Sequence, residues 1–363
     1  MGRITSLALA LVFGAGAACG SDLGTSAGTA TISTVADGLR EPWSLAFLPG
    51  GDVLVTERGG RLIRLGADGG VHPVSGLPAI HAEGQGGLFD ILVPRDFARS
   101  GEVLISFARP QAGGAGTAVA AARFADDRLG DLRVIWEMPE GSSGGRHFGG
   151  RLAEGPDGSI YLGIGERGEF DPAQDLDALH GKIIRITRQG APAPGNPFPD
   201  RAGGVIWSYG HRNPQGLTFD AEGRLWESEH GAKGGDEVNL IAPGKNYGWP
   251  VIAYGRHYSG LRIGVGTAAE GMEQPVHYWD PSIAPSGHMV YSGRLWPDWA
   301  GDHFVGSLKF DYIARLDPGA GWAEEALRSR ETGRVRDIRE APDGSIWFLS
   351  VDRGAVFRMR PAE

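Results

Sequence analysis

Hydrophobic and polar positions alternate along this chain in short runs, and a tight-turn signal introduces run after run. Leu48-Pro49-Gly50-Gly51-Asp52 precedes Val53 and Val55, and the run ends at Glu57. Pro156-Asp157-Gly158 leads into Ile160, Leu162 and Ile164 and then Glu166. Asp220-Ala221-Glu222-Gly223 leads into Leu225 and Trp226 and then Glu229, and Pro342-Asp343-Gly344 into Ile346 and Phe348 and then Asp352. A second apolar run follows in several places, as at Leu62–Leu65, Ile183–Ile186 and Val356–Met359. Period-two runs flanked by turns predict antiparallel hairpins.

A turn-strand-gap-strand unit that recurs every roughly 45 to 65 residues is the pattern of a β-propeller. The expected fold class is all-β, with six blades, and seven as the alternative count. Closing the ring requires a strand near Ile32–Val35 to pair beside Val356–Met359, which removes an open sheet edge. A pair of β-sandwiches would explain the turns but not the recurring unit. The irregular spacing points to long loops that carry function.

Composition agrees with this picture. The chain has 363 residues with 60 glycines and 23 prolines, so turns are frequent. A hydrophobic fraction of 41% with 10 tryptophans excludes a disordered chain. A formal charge of −9 with no basic block argues against a nucleic-acid partner.

Residues 1–19 read as an export signal. Arg3 is a short basic region, Leu7–Phe13 an apolar core too short to span a bilayer, and Gly14–Ala18 a small-residue stretch before Cys19. Cys19 is the only cysteine, so no intrachain disulfide forms. Its position resembles a lipoprotein cleavage site, although Gly16 departs from that pattern, so a periplasmic or exported protein with a possible membrane tether through Cys19 is expected. Residues 20–30 read as a flexible tether, and 31–363 as the propeller.

The candidate chemistry lies between the strands. In Gly145-Arg146-His147-Phe148-Gly149-Gly150, glycines surround a histidine just ahead of a strand, which allows close approach of a ligand. Taken alone, such a histidine reads as a hydrogen-bonded loop residue. Arg334 and Arg336 alternate on an expected strand and so share a face. Alone, that pair reads as a solvated strand face.

Further motifs change the weighing: Glu83-Gly84-Gln85-Gly86-Gly87-Leu88, Ser208-Tyr209-Gly210-His211-Arg212-Asn213-Pro214-Gln215-Gly216-Leu217, the segment from Glu229 to Asn239, Lys245-Asn246-Tyr247-Gly248-Trp249-Pro250, and Gly333-Arg334-Val335-Arg336-Asp337. Together with His147 they resemble the soluble glucose/sorbosone dehydrogenase family, the aldose sugar dehydrogenases that depend on pyrroloquinoline quinone (PQQ). The resemblance runs over nearly the whole mature chain. It implies a six-bladed propeller with PQQ over the central channel, oxidising aldose sugars at C1 to the lactone.

In that frame His147 is the base for the C1 hydroxyl as hydride passes to the quinone, and imidazole titrates near working pH. Glu166 matches the acidic partner of this histidine, although close relatives carry Asp there. PQQ bears three carboxylates. Arg212 matches the group that stabilises charge on the reducing oxygen, with Asn213 beside it, held extended by Pro214. Arg334 and Arg336 can bind carboxylates bidentately. Lys309, Gln85 and Tyr258 match further cofactor-binding positions. The resemblance also implies a Ca²⁺ that bridges PQQ to the carbonyls of Gly231 and Ala232, where many relatives have Pro in place of Ala232. Carbonyl ligands are hard oxygens that do not depend on the side chain. A second Ca²⁺ is expected between the Glu237 carboxylate and the Tyr247 carbonyl, with a surface carboxylate as the plain alternative for Glu237. His230 stands where glucose-oxidising relatives often have Gln, so sugar preference does not transfer.

The electron acceptor is left open, as is the choice between monomer and homodimer. Two other classes compete. A Ca²⁺-dependent propeller lactonase would place several acidic and amide side chains on a central metal and would not need a paired-arginine anion site. A non-catalytic binding propeller would have no reason to keep His147, Arg212, Arg334 and Arg336 together.

Overall fold

In four places one and the same turn joins the first strand of a sheet to the second. Each is closed by two backbone bonds, as from Leu48 N–H to Asp52 O (2.8 Å) and Gly51 N–H to Leu48 O (3.0 Å), and the pattern repeats at Gly155–Ser159, Asp220–Arg224 and Ala341–Ser345. Its glycines, Gly51, Gly158, Gly223 and Gly344, have φ between 78° and 93°, a region that side-chain-bearing residues rarely adopt. The computed structural model describes residues 20–362 apart from residue 68. The described strands form six antiparallel sheets, five of four strands and one of five, as a six-bladed propeller.

The innermost strands are Pro42–Phe47, Leu88–Leu92, Leu152–Glu154, Pro214–Phe219, Pro285–Val290 and Val335–Glu340, one for each of blades 1 to 6, and they pack in a closed ring. Blades 2 and 5 lack the tight turn. In their place stand the short helix Phe97–Ser100 and the 3₁₀ turn Pro297–Trp299.

Both faces of each blade are covered by neighbours, so the core lies between blades. Val103, Ile105 and Phe107 of blade 2 join Leu54 and Leu62 of blade 1, whereas Leu104 and Val119 join Leu152, Ile160, Leu162 and Ile164 of blade 3. Tyr161, on the other face of blade 3, packs with Leu217 and Leu225 of blade 4. The alternation in the sequence thus separates two buried faces.

Ring closure follows the expected register. Gly28–Ala36 pairs with Ala355–Pro361, placing Ile32 opposite Met359 and Thr34 opposite Phe357. The expectation of a tether over residues 20–30 is corrected here, because Ser21–Thr25 is a strand paired with Gly28–Ala36. Leu23 and Ala30 are buried in the same core cluster as Phe304 and Met359. Ser26, between the two strands, gives its N–H and its hydroxyl to the Glu325 carboxylate at 2.7 Å each. The small polar residues look like a linker, but the alternate apolar ones find a core. The signal segment and Cys19 lie outside the described residues. Among those described, no helix is long and apolar enough to cross a membrane.

Candidate active site

Since the tight turns occupy one end of the ring, the starts of the inner strands and the ends of the second strands meet at the other. A cavity of about 830 Å³ opens there. Gln85, His147, Arg212, Asn213 and Arg334 enter it from the segments ahead of inner strands, with Arg336 just inside one. Gly231 and Lys309 follow the second strands of blades 4 and 5, and Tyr258 lies in the loop between the third and fourth strands of blade 4. Most of the predicted site is therefore brought to one place. Glu166 stands behind the wall, and Ala232, Glu237 and Tyr247 do not line this cavity.

His147 has φ 51°, so the left-handed conformation falls on the histidine itself as well as on Gly149 and Gly150. Its N–H donates to Gln85 Oε1 at 2.7 Å. The Nδ1 of its ring hydrogen-bonds the Glu166 carboxylate, which is fully buried two residues beyond the strand Ile160–Ile164. A carboxylate can only accept, so Nδ1 carries the hydrogen and Nε2 is left with the lone pair. Burial holds the ring below its ordinary pKa of 6.5; the Glu166 bond opposes this and the Arg212 charge adds to it. At neutral pH His147 is a neutral base with an oriented tautomer.

The cavity is rich in cations. Arg212 is buried, donates from Nη1 to the carbonyls of His230 (3.1 Å) and Gly231 (2.7 Å), and packs on Trp249 at 5.2 Å. Its Nε and that of Arg336 are buried without a protein partner among the described residues. Burial, then the Arg151 charge, push Arg336 down to about 9. The strand begins only at Val335, and Arg334 precedes it with φ 44°, yet both arginines reach the cavity. Arg334 Nη1 donates to Leu308 O at 2.9 Å, and Arg334 is 3.7 Å from Asp352. Lys309 is exposed and lies 4.9 Å from the Phe310 ring. Two amide residues complete the wall: Asn213 Oδ1 accepts from Gly149 N–H (3.3 Å) and Gln215 (3.2 Å). Tyr258 stands at the rim, 75% exposed.

Behind Arg212 the polarity reverses. A small cavity of about 20 Å³, room for about one water or ion, is lined by Glu229, Glu237, Tyr247, Gly231 and Arg212 among others. Strand register places Glu229 opposite Glu237 and Glu227 opposite Asn239. Glu227, Glu229 and His211 bring their ligand atoms within 4.8 Å of one another. Burial, then the Glu229 charge, raise the Glu227 and Glu237 carboxyls well above the usual carboxylate range. Glu227 Oε1 has no partner among the described residues. Of the two expected carbonyls, Gly231 is in the large cavity's wall, whereas the Ala232 carbonyl accepts Arg256 N–H at 2.8 Å.

Sequence reasoning missed several members. Arg58 lines the cavity, pairs with Glu41 at 2.8 Å and donates to Gly84 O at 2.7 Å. It follows Glu57 just as functional loops follow Glu166 and Glu229, a positional signal that was available. Glu229 was noted as a strand end, but its Oε2 accepts the N–H groups of Arg212 (2.5 Å) and Asn213 (3.1 Å). Asp236 accepts from Gly231 N–H (2.8 Å), the Ser282 hydroxyl (2.7 Å) and Ala284 N–H (2.8 Å), so it joins two cavity loops from different blades. No local pattern marks these last two.

A propeller whose open end gathers a His–Glu pair, guanidinium groups and amide side chains around one cavity presents an oriented base beside an anion-binding wall. The profile of the family described as Glucose / Sorbosone dehydrogenase matches residues 39–358. The chain is 40% identical over 346 residues to aldose sugar dehydrogenase YliI of Escherichia coli (strain K12), covering 92% of this chain and 93% of that one. Among solved structures, a crystal structure of glucose dehydrogenase matches with TM-score 0.87 and 43% identity over 92% of this chain and 99% of the other. The PQQ-bound form of aldose sugar dehydrogenase from Streptomyces coelicolor matches with TM-score 0.76 and 31% identity, over 91% and 98%. The chain belongs to the glucose/sorbosone dehydrogenase family, and it is an oxidoreductase.

Proposed function

We propose that this protein is a PQQ- and Ca²⁺-dependent dehydrogenase that oxidises aldose sugars at C1 to the lactone. The observation that carries the reading is the pairing, in one cavity, of a tautomer-fixed neutral histidine with Arg212 and Arg336, whose Nε atoms are buried and which form no ion pair among the described residues. Such nitrogens suit a ligand carrying several carboxylates. Arg336, Arg334 and Lys309 would hold those carboxylates, and Gln85, Asn213 and Tyr258 would flank the ring system. The carbonyl of Gly231, in the cavity wall, would hold the Ca²⁺ that accompanies the cofactor, whereas the Ala232 carbonyl is taken by Arg256 N–H and would have to turn to join it. A second Ca²⁺ would sit by Glu237 and the Tyr247 carbonyl, where buried carboxyl groups surround a space of ion size. Export, and a lipid on Cys19, belong to the same proposal.

When bound, PQQ supplies a two-electron quinone acceptor, so the aldose loses two electrons and two protons in all. The protein's own part is acid–base and electrostatic. His147 Nε2 takes the proton from the C1 hydroxyl, while Glu166 keeps the ring oriented and stabilises the imidazolium that forms. Arg212 places a fixed positive charge where negative charge grows, and its burial strengthens that effect. Glu229 fixes the backbone of Arg212 and Asn213.

The test is the absorption spectrum of apoprotein mixed with PQQ and Ca²⁺, followed by a panel of aldoses. Reduction of the bound quinone with release of lactone is expected, and chelation should abolish it until Ca²⁺ is returned. Absence of quinone reduction, together with lactone hydrolysis in Ca²⁺ alone, would replace this reading with the lactonase.

A further inference from the structure

Arg336 poses a problem that no role above resolves. It forms no ion pair among the described residues, and although the Asp337 charge favours it, Arg151, Arg334 and Arg58 press on it with like charge. The nearest carboxylate in its own strand, Asp337, is committed elsewhere: to Arg151 at 3.0 Å and to Arg339 at 3.1 Å. Asp90 is likewise shared by Arg151 (3.3 Å) and Arg339 (3.2 Å). Arg151 and Arg339 are thus neutralised in the channel by two aspartates, and Arg336 is left over.

Among the described residues its guanidinium makes an aromatic contact instead. The Arg336 guanidinium lies 4.4 Å from the centroid of Trp43, which also carries Arg151 at 4.3 Å. Trp43 is 2% exposed, begins the inner strand of blade 1 beside Pro42, and lines the cavity. It packs on Phe89 at 5.6 Å, and Phe89 packs on Phe148 at 5.6 Å, so the ring is fixed on its apolar side too. The negative face of an indole attracts a guanidinium most strongly where water is excluded.

We propose that Trp43 is a positioning residue for Arg336: its ring compensates a guanidinium that forms no ion pair among the described residues, and holds it in the cavity wall as a binding group for carboxylates. The carboxylates in question are those of PQQ, so the binding half of the proposal rests on the function proposed above. The contact itself does not.

The experiment is a double-mutant cycle of Trp43→Leu and Arg336→Met on the apoprotein, with Trp43→Phe as the conservative variant. Thermal midpoints without cofactor test the contact. Trp43→Leu should lower the midpoint by more in the parent than in Arg336→Met. PQQ titration by difference spectrum tests the consequence. Trp43→Leu should weaken binding about tenfold and Trp43→Phe within about threefold, and Trp43→Leu should add nothing in Arg336→Met. Additive midpoints and independent affinities would overturn the proposal. If the parent binds no PQQ, the cofactor reading fails, while the midpoints still decide the contact. Should Trp43→Leu not fold, the cycle with Trp43→Phe decides it in the same way.

Discussion

The large cavity and the small one share the wall made by Arg212 and Gly231, and they call for opposite charges. On one side the guanidinium groups of Arg212 and Arg336 keep nitrogens unpartnered among the described residues; on the other, Glu237 and Glu229 line the space, and burial with the Glu229 charge raises the Glu237 carboxyl. Either set, buried alone, costs stability, because a desolvated charge needs a partner. The two regions are also linked, since the acidic Glu229 holds the backbone of the basic Arg212. The comparison teaches that cationic and acidic groups are held apart on either side of Arg212, an arrangement that suits the anionic cofactor and the cation proposed above.

Removing the base from the cationic side gives the largest expected effect. His147→Ala should lower turnover by about 10²- to 10⁴-fold while PQQ affinity stays close to that of the parent. Single-turnover kinetics beside a PQQ titration checks this, and near-parent turnover would remove His147 from the mechanism.

The two arginines should then separate. Arg336→Lys is expected to weaken PQQ binding about tenfold with turnover at saturation little changed, since it acts on the bound ground state. Arg212→Lys should lower saturated turnover more than affinity, since its charge acts where charge develops. If both variants lose affinity alone, this division of roles is wrong.

The acidic side is reached without any cofactor. Ca²⁺ at a hundred times its Kd should stabilise the apoprotein by about 2.7 kcal/mol if a single site binds it. Glu237→Gln should remove most of that gain. A melting midpoint that responds to Ca²⁺ equally in both proteins would take Glu237 out of the site.

The smallest expected effect is a shift in one titration. A histidine whose pKa is lowered stays neutral down to a lower pH, so His147 in the apoprotein should titrate below 6.5 by NMR. Activity should rise with pH through its pKa and then level off. Glu166→Gln should move the midpoint further down, because the carboxylate favours the protonated ring. A polyanionic cofactor should move it up. An unchanged midpoint in Glu166→Gln would break the pairing drawn between them.

Much of this architecture is legible in one dimension. Period-two runs such as Ile160-Leu162-Ile164, and glycines that alone tolerate the turn conformation at Gly158 or Gly223, specify hairpins through local sterics. Their recurrence predicts the blades, and the need to close an edge predicts the pairing of Ile32 with Met359. Blades 2 and 5 escaped because a helix and a 3₁₀ turn replace the glycine turn. The strand Ser21–Thr25 escaped because its polar majority hides Leu23, which is buried in a core cluster drawn from far along the chain, Phe304 and Met359 included.

The candidate site divides in the same way. The order of the motifs, through the family they resemble, determined which side chains belong together: His147, Gln85, Arg212, Asn213, Lys309, Arg334 and Arg336 all line one cavity. Only the tertiary structure decided which charges are compensated. Whether an arginine is spent in an ion pair, as Arg151 is, or left over against an indole, as Arg336 is, depends on distances between strands of different blades. Likewise Glu229, Asp236 and Trp43 gain their meaning from partners that lie in other segments or blades. Coulomb and desolvation energies act through space, whereas a motif records only neighbours along the chain.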